Sequence, residues 1–256
     1  MGLSVGIVGL PNVGKSTLFN ALTKRQQAAA ENYPFCTIEP NSAIVEVADP
    51  RLDTLAKMAK SEQIIRATVA FTDIAGLVKG ASKGEGLGNK FLANIRECDA
   101  ILHVVRCFEN DDIIHVQEGG NKSAPIAPVD DAEVIETELV LADMEQLQKR
   151  YDRVKKEAQA KPPLRPEAEA CAALLKHLEE GKPVRSFPRQ EGDAILNVLK
   201  DLHFLTDKPV IYCANVADDD VTGASNPHVA ALKAYAEKQG CACVVICAQW
   251  RPISRG

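Results

Sequence analysis

Short apolar runs rich in β-branched residues alternate along the chain with stretches in which apolar residues recur at helical spacing. Such runs predict buried strands, because a strand that is covered on both faces is apolar at nearly every position. Strands that alternate with helices predict an α/β fold, with a mostly parallel sheet between helical layers. Six strands are predicted at Leu3–Val8, Ala43–Val47, Ala67–Thr72, Ile101–Val105, Val210–Ala214 and Val244–Cys247.

The strand pattern stops between residues 130 and 204, where two apolar stripes at helical spacing replace it. Residues three and four positions apart share one face of a helix, so the two stripes predict helices that pack together. The first stripe consists of Val140, Met144, Leu147, Tyr151 and Val154, and the second of Cys171, Leu174, Leu175 and Leu178. We predict a helical, coiled-coil-like hairpin inserted into the α/β domain.

The predicted division of the chain follows from this insertion. Residues 1–129 and 205–249 are expected to form the two parts of the α/β domain, and residues 130–204 the helical insertion. Residues 250–256 are an atypical tail.

Composition narrows the class of protein. The formal net charge of -5 gives nucleic-acid binding no support. A basic cluster at 149–156 is a candidate contact for RNA or for an acidic protein surface. The commoner role of such a cluster is a solvated helix face. The eight cysteines show no paired zinc spacing, and no run of 18 apolar residues predicts a membrane span. With no room for a signal peptide before the first strand, we expect a cytoplasmic protein without membrane contact. We also expect a monomer.

Residues 9–17 read Gly-Leu-Pro-Asn-Val-Gly-Lys-Ser-Thr, which is a complete G-x-x-x-x-G-K-[ST] phosphate loop. The loop follows a predicted strand and precedes a helical stretch, so its N–H groups are expected to converge on phosphate at a helix N-terminus. Lys15 is expected to reach the β- and γ-phosphates and to stabilise charge in catalysis, and the Ser16 hydroxyl to bind Mg²⁺. The chain is predicted to bind a nucleoside triphosphate.

Two later segments lie where P-loop GTPases sense the γ-phosphate. Thr37 is expected to complete the Mg²⁺ shell, and Asp73 to hold Mg²⁺ through a water. The N–H of Gly76 is expected to contact the γ-phosphate during catalysis. Leu77 stands where a Ras-like enzyme has a water-orienting glutamine, which predicts slow intrinsic turnover. His115 is a catalytic candidate that would replace this glutamine. The alternative is a structural role, which is commoner for a histidine.

The base-reading segment leaves the nucleotide open. Residues 215–218 read Asn-Val-Ala-Asp, where a GTPase has Asn-Lys-x-Asp. Asp218 keeps the carboxylate that accepts hydrogen bonds from the guanine N1–H and exocyclic amine. Val216 replaces the lysine whose stem would cover the base. From this chemistry alone, both ATP and GTP remain candidates.

Taken together, these segments resemble the Obg-like ATPase family, also called YchF, from Met1 to about Gln249. The resemblance rests on residues 9–17, 32–40, 73–81, 106–111 and 215–218. It implies a Ras-like P-loop domain with a helical insertion, a preference for ATP, and association with ribosomes in translation or stress regulation. The phosphate-binding residues that it implies are Asn12, Val13, Gly14, Lys15, Ser16 and Thr17. It also implies that Ser16 and Thr37 hold Mg²⁺ and that Asn215 and the Val216 backbone contact adenine.

The sequence departs from the family pattern at two places. The family usually has glutamate at the position of Asp218, and it continues into a C-terminal TGS domain, which residues 250–256 do not resemble. We expect that domain to be missing from this sequence. The leading prediction is a slow, Mg²⁺-dependent ATPase switch that docks on the ribosome. The alternatives are a GTPase of the same fold, which Asp218 favours, and a nucleotide-binding module without turnover.

Overall fold

The computed structural model describes residues 2–30, 42–74, 87–109, 125–220 and 222–248. Its strands are β1 (Leu3–Val8), β2 (Ser42–Glu46), β3 (Thr68–Asp73), β4 (Ala100–Arg106), β5 (Val210–Asn215) and β6 (Ala242–Ile246). They form one sheet in the order β2-β3-β1-β4-β5-β6, in which β2 runs antiparallel to β3 and the other neighbours are parallel. The predicted α/β fold is confirmed, and each predicted strand lies within two residues of its observed bounds.

Helices cover both faces of this sheet. They are α1 (Lys15–Ala30), α2 (Pro50–Ala59), α3 (Leu87–Glu97), α4 (Pro128–Ala160), α5 (Arg165–Glu179), α6 (Ile195–Leu202) and α7 (Pro227–Lys238). Successive strand residues point to opposite faces, so Val104 of β4 packs with α3 and α4 while Val105 packs with α7. No helix in the described ranges is both long and apolar enough to cross a membrane.

Helix α4 contributes to more than one apolar core along its 33 residues. Near its start, Ile135 and Leu139 pack into the core beneath the sheet. Farther along, Leu147 packs with α5, whose predicted stripe is entirely buried. This packing confirms the helix pair that the two stripes predict. The division into residues 1–129, 130–204 and 205–249 stays a prediction, and the tail at 250–256 lies outside the described residues.

A buried carboxylate on α4 fixes the segment that leads into β5. Asp143 accepts hydrogen bonds from the N–H of Leu205 at 2.9 Å, and from the N–H and hydroxyl of Thr206 at 2.8 and 2.7 Å. Burial raises the pKa of Asp143 to about 6, and these hydrogen bonds oppose the shift. The chain therefore enters β5, whose far end borders the candidate site, from a fixed position.

Candidate nucleotide-binding site

The phosphate loop connects β1 to α1 and approaches two other strands closely. Its backbone has positive φ at Asn12, 63°, and at Gly14, 100°. A Cβ on Gly14 would lie 2.3 Å from Nδ2 of Asn215, and one on Gly9 would lie 2.4 Å from the carbonyl oxygen of Val104. A side chain is excluded at such distances, so β4 and the end of β5 require glycine at these two motif positions.

Three of the predicted site residues lie together at the start of α1 and the end of β3. Lys15 is buried, and its ammonium group donates to the carbonyl oxygen of Leu10 in the same loop at 2.6 Å. Burial lowers the pKa of Lys15 to about 8, and the nearby carboxylate of Asp73 opposes this shift. The Ser16 hydroxyl donates to Oδ2 of Asp73 at 3.4 Å. A cation, a hydroxyl and a carboxylate thus face the same loop.

A cavity of about 500 Å³ extends from the phosphate loop to the carboxyl ends of β4, β5 and β6. Ligands of α/β proteins bind at this edge of the sheet, and the volume lies within the usual range for small-molecule sites. The lining residues are Asn12, Gly14, Lys15, Ser16, Thr17, Phe108, Glu109, Asn215, Val216, Ala217, Asp218, Asp219 and Ala248. The phosphate loop and the predicted base-reading segment therefore line one cavity.

Asn215 holds the two ends of this cavity together. Its side chain is buried, and its amide nitrogen donates to the carbonyl oxygen of Val13 at 2.9 Å. Its amide oxygen accepts from the N–H of Ala248 at 3.0 Å. The neighbouring N–H of Val216 donates to the carbonyl oxygen of Ile246 at 2.9 Å. The N–H groups of Val216 and Ala248, two backbone donors at this end of the cavity, are thus engaged within the protein.

Comparison with known proteins agrees with this geometry. Residues 4–137, more than half of the chain, match the family model described as 50S ribosome-binding GTPase. The curated "Ribosome-binding ATPase YchF" of Haemophilus ducreyi (strain 35000HP / ATCC 700724) is 50% identical over 249 residues, which is 97% of this chain and 66% of that protein. The YchF of Bacillus subtilis (strain 168) is 50% identical over 253 residues, with the same shares covered.

A solved structure of a relative is also similar to this chain in its fold. The structure described as the Schizosaccharomyces pombe YchF GTPase superposes with a TM-score of 0.79 at 34% identity, covering 97% of this chain and 66% of that one.

The chain belongs to the YchF family.

The chain spans about 66% of the length of the curated YchF relatives that it matches. Members of this family are described with two different nucleotides in their names, since the bacterial relatives are called ATPases and the S. pombe relative a GTPase. The family alone therefore does not fix the nucleotide, and the base end of the cavity is the part of the structure that bears on the choice between ATP and GTP.

Most of the predicted binding residues border this cavity. Those that line it are Asn12, Gly14, Lys15, Ser16, Thr17, Asn215, Val216 and Asp218. Val13 offers its carbonyl oxygen to Asn215, and Asp73 lies against Ser16. Thr37, Gly76 and His115 lie outside the described residues, as does Leu77. The roles assigned to all of these residues stay predictions.

The contact of Asn215 with adenine stays a prediction, and the structure shows what else its side-chain amide does. It borders the cavity, but its two polar atoms bond to Val13 and Ala248, which gives it a role in joining two loops. A contact from the backbone of Val216 to a base would have to use its carbonyl oxygen, because its N–H bonds to Ile246.

Phe108 and Glu109 also line the cavity, in addition to the residues that the sequence motifs predict. The guanidinium carbon of Arg106 lies 4.9 Å from the centre of the Phe108 ring, and Nε of Arg106 donates to the carbonyl oxygen of Phe108 at 3.0 Å. These contacts fix the backbone that leaves β4. The available signal was their position directly after a buried strand, where a parallel sheet presents ligand-binding residues.

Proposed function

We propose that this chain is a Mg²⁺-dependent ATPase that binds ATP in the cavity described above, hydrolyses it slowly and acts as a switch on the ribosome. The observation that carries the proposal is the continuity of one cavity between the phosphate loop and the turn at Asp218. The names of the bacterial YchF relatives, ribosome-binding ATPases, agree with it.

The residues at the phosphate end fit a magnesium nucleotide. Ser16 and Asp73 supply hydroxyl and carboxylate oxygens, the ligand types that Mg²⁺ prefers, with Asp73 acting through a water. Thr37 is the third proposed ligand. Mg²⁺, when bound, neutralises part of the charge of the triphosphate.

The chain's own groups stabilise the transferring phosphoryl group. The ammonium of Lys15 and the N–H groups of the loop offset charge that spreads over the γ-phosphoryl oxygens. In this proposal the N–H of Gly76 adds one more donor. Because Leu77 cannot orient the attacking water by hydrogen bonding, His115 or a partner supplies that function, and intrinsic turnover is slow.

The base end supports adenine. Guanine presents its O6 acceptor where adenine presents an N6 amine, so guanine needs a donor from the protein and adenine an acceptor. The N–H groups of Val216 and Ala248 are already bonded to other protein atoms. The exposed carboxylate of Asp218 is an acceptor suited to the N6 amine.

A GTPase is the second candidate, and one observation favours it. Asp218 lines the cavity and is exposed there, so its carboxylate can accept from the guanine N1–H and exocyclic amine as well. The S. pombe relative is described as a GTPase. Direct comparison of the two nucleotides separates these candidates.

The proposed partner is the ribosome, in the cytoplasm, with the chain acting as a monomer. The support comes from the relatives' names rather than from the basic cluster at 149–156. Within that cluster, Lys149 pairs with Glu145 at 2.6 Å, and Nε of Arg150 donates to Glu167 at 2.8 Å. These pairs neutralise part of its charge, so we propose no RNA contact there.

Turnover of the Lys15→Ala variant tests the proposal. We expect the variant to lose ATP hydrolysis and most of its ATP affinity, because no other side chain in the loop carries a positive charge. Unchanged affinity and turnover would contradict the assignment. Turnover of the unaltered chain with and without ribosomes distinguishes a ribosome-stimulated switch from a module that binds nucleotide without hydrolysing it.

A further inference from the structure

A second asparagine, Asn226, connects two walls of the cavity at its base end. Its amide nitrogen donates to the carbonyl oxygen of Cys107 at 2.9 Å and to Oδ2 of Asp220 at 2.8 Å. Its amide oxygen accepts from the N–H groups of His228 at 2.9 Å and Val229 at 3.2 Å, in the first turn of α7. The single amide therefore uses both donors and both acceptor positions.

The groups that Asn226 joins lie directly beside the lining residues. Cys107 precedes Phe108 and Glu109, which form one wall. Asp220 ends the short 3-10 turn Asp218–Asp220, whose first two residues form the facing wall. Asn226 itself does not line the cavity. It can therefore act on a bound nucleotide only through the positions of these two walls.

Capping α7 does not by itself require an asparagine. Asp49 caps α2 with a carboxylate that accepts from the N–H of Arg51 at 3.0 Å, which shows that acceptor oxygens suffice at a cap. The two donors of Asn226 are additional to capping, and both point to the walls of the cavity. An aspartate at this position would keep the cap, but it would place a second carboxylate against Asp220.

We propose that Asn226 is a positioning residue for the nucleobase, which sets the spacing between the wall at Phe108 and the turn at Asp218. This inference rests on the proposed function and concerns only the base end of that site. It predicts that Asn226 affects nucleotides through the base and leaves recognition of the phosphates unchanged.

The Asn226→Asp variant separates this role from capping. We expect ATP to bind roughly tenfold more weakly to the variant, because two hydrogen bonds are lost and two carboxylates are brought together. Mg²⁺-tripolyphosphate, which has no base, should bind as it does to the unaltered chain. Both affinities are measured by displacement of a fluorescent ATP analogue, and thermal unfolding checks the fold. The matched control is Asp49→Asn, a change at a cap remote from the cavity, which should alter neither affinity.

A double variant keeps the test decisive if Asn226→Asp folds poorly. In Asn226→Asp combined with Asp220→Asn, the amide introduced at position 220 can donate to the carboxylate introduced at position 226. We expect this reversed hydrogen bond to restore part of the fold stability and of the ATP affinity. The proposal would be overturned if the double variant improved neither the fold stability nor the ATP affinity of Asn226→Asp.

Two other outcomes overturn the inference while leaving the proposed function standing. One is unchanged ATP affinity in Asn226→Asp, and the other is an equal loss of ATP and tripolyphosphate binding. If the unaltered chain bound neither compound, the proposed function itself would fail, and the role of Asn226 with it.

Discussion

The phosphate end and the base end of the cavity differ in how far apart in the sequence their residues lie. The phosphate end is mainly one continuous segment, residues 9–17, whose backbone turns between a strand and a helix, with Asp73 at the end of β3 beside it. The base end combines residues 108–109, 215–219 and 248, at the ends of β4, β5 and β6. The first depends on local backbone conformation, whereas the second depends on side chains such as Asn215 that join separate loops. We therefore expect changes in packing away from the cavity to affect recognition of the base more than recognition of the phosphates.

Gly14→Ala should have the largest effect, because it changes the point where the two ends meet. Its Cβ would lie 2.3 Å from Nδ2 of Asn215 on a backbone with φ of 100°. We expect ATP affinity to fall about a hundredfold, or roughly 3 kcal/mol, in a binding titration. Gly192→Ala is the control, since φ there is 92° with no heavy atom within 4 Å. Equal losses in the two variants would show that backbone strain alone is responsible.

Asn215→Ala removes the side chain that joins the ends. It leaves the carbonyl of Val13 and the N–H of Ala248 without their partner, at a cost of about 2 kcal/mol in the free energy of unfolding. Denaturant unfolding measures this cost, and ATP titration should show a loss of roughly tenfold or more. The exposed Asn197 of α6 provides the control, because its change to alanine should leave both quantities nearly unaltered. A stable, tightly binding Asn215→Ala would mean that the two ends are held together by other contacts.

The pH dependence of ATP binding isolates the phosphate end. The pKa of Lys15 is lowered to about 8 by burial, and a bound triphosphate favours the charged form, raising that pKa. The contribution of Lys15 is therefore complete below pH 8 and is lost as the pH rises above it. We expect ATP affinity to fall about tenfold between pH 7 and pH 9.

Lys15→Arg is the control for this profile, because a guanidinium stays charged throughout that range. Whatever its absolute affinity, the variant should not show the decline. A flat profile in the unaltered chain would contradict the assignment of the effect to Lys15.

Asp218→Asn should have the smallest effect, because the side chain is exposed and only its contact with the base changes. We expect GTP to bind about fivefold more weakly to the variant, since guanine offers two donors to the carboxylate, while ATP affinity changes less. Competition titrations measure both affinities. Asp219→Asn removes the same charge from the same turn and should not change the ratio of the two affinities. A matching change in both variants would indicate an effect of charge alone.

The sequence predicts the fold and the position of the phosphate loop. Strand positions follow from apolar runs, and the loop at residues 9–17 follows from a motif whose flanking strand and helix are local. The base end was predictable only in part, because its geometry depends on which loops the topology brings together. Asn226, followed by proline, reads in the sequence as an ordinary helix cap, and nothing local reveals its bonds to Cys107 and Asp220. Likewise, nothing local in the sequence reveals that the amide of Asn215 bonds to Val13 and Ala248.

Side-by-side titration of the chain with fluorescent ATP and GTP analogues in Mg²⁺, each displaced by the unlabelled nucleotide, tests the central claim most directly. The engaged N–H groups of Val216 and Ala248 predict that ATP binds at least about tenfold more tightly, a difference of about 1.4 kcal/mol. A preference of that size for GTP would contradict the account. It would mean that Asp218 selects guanine and that the chain is a GTPase.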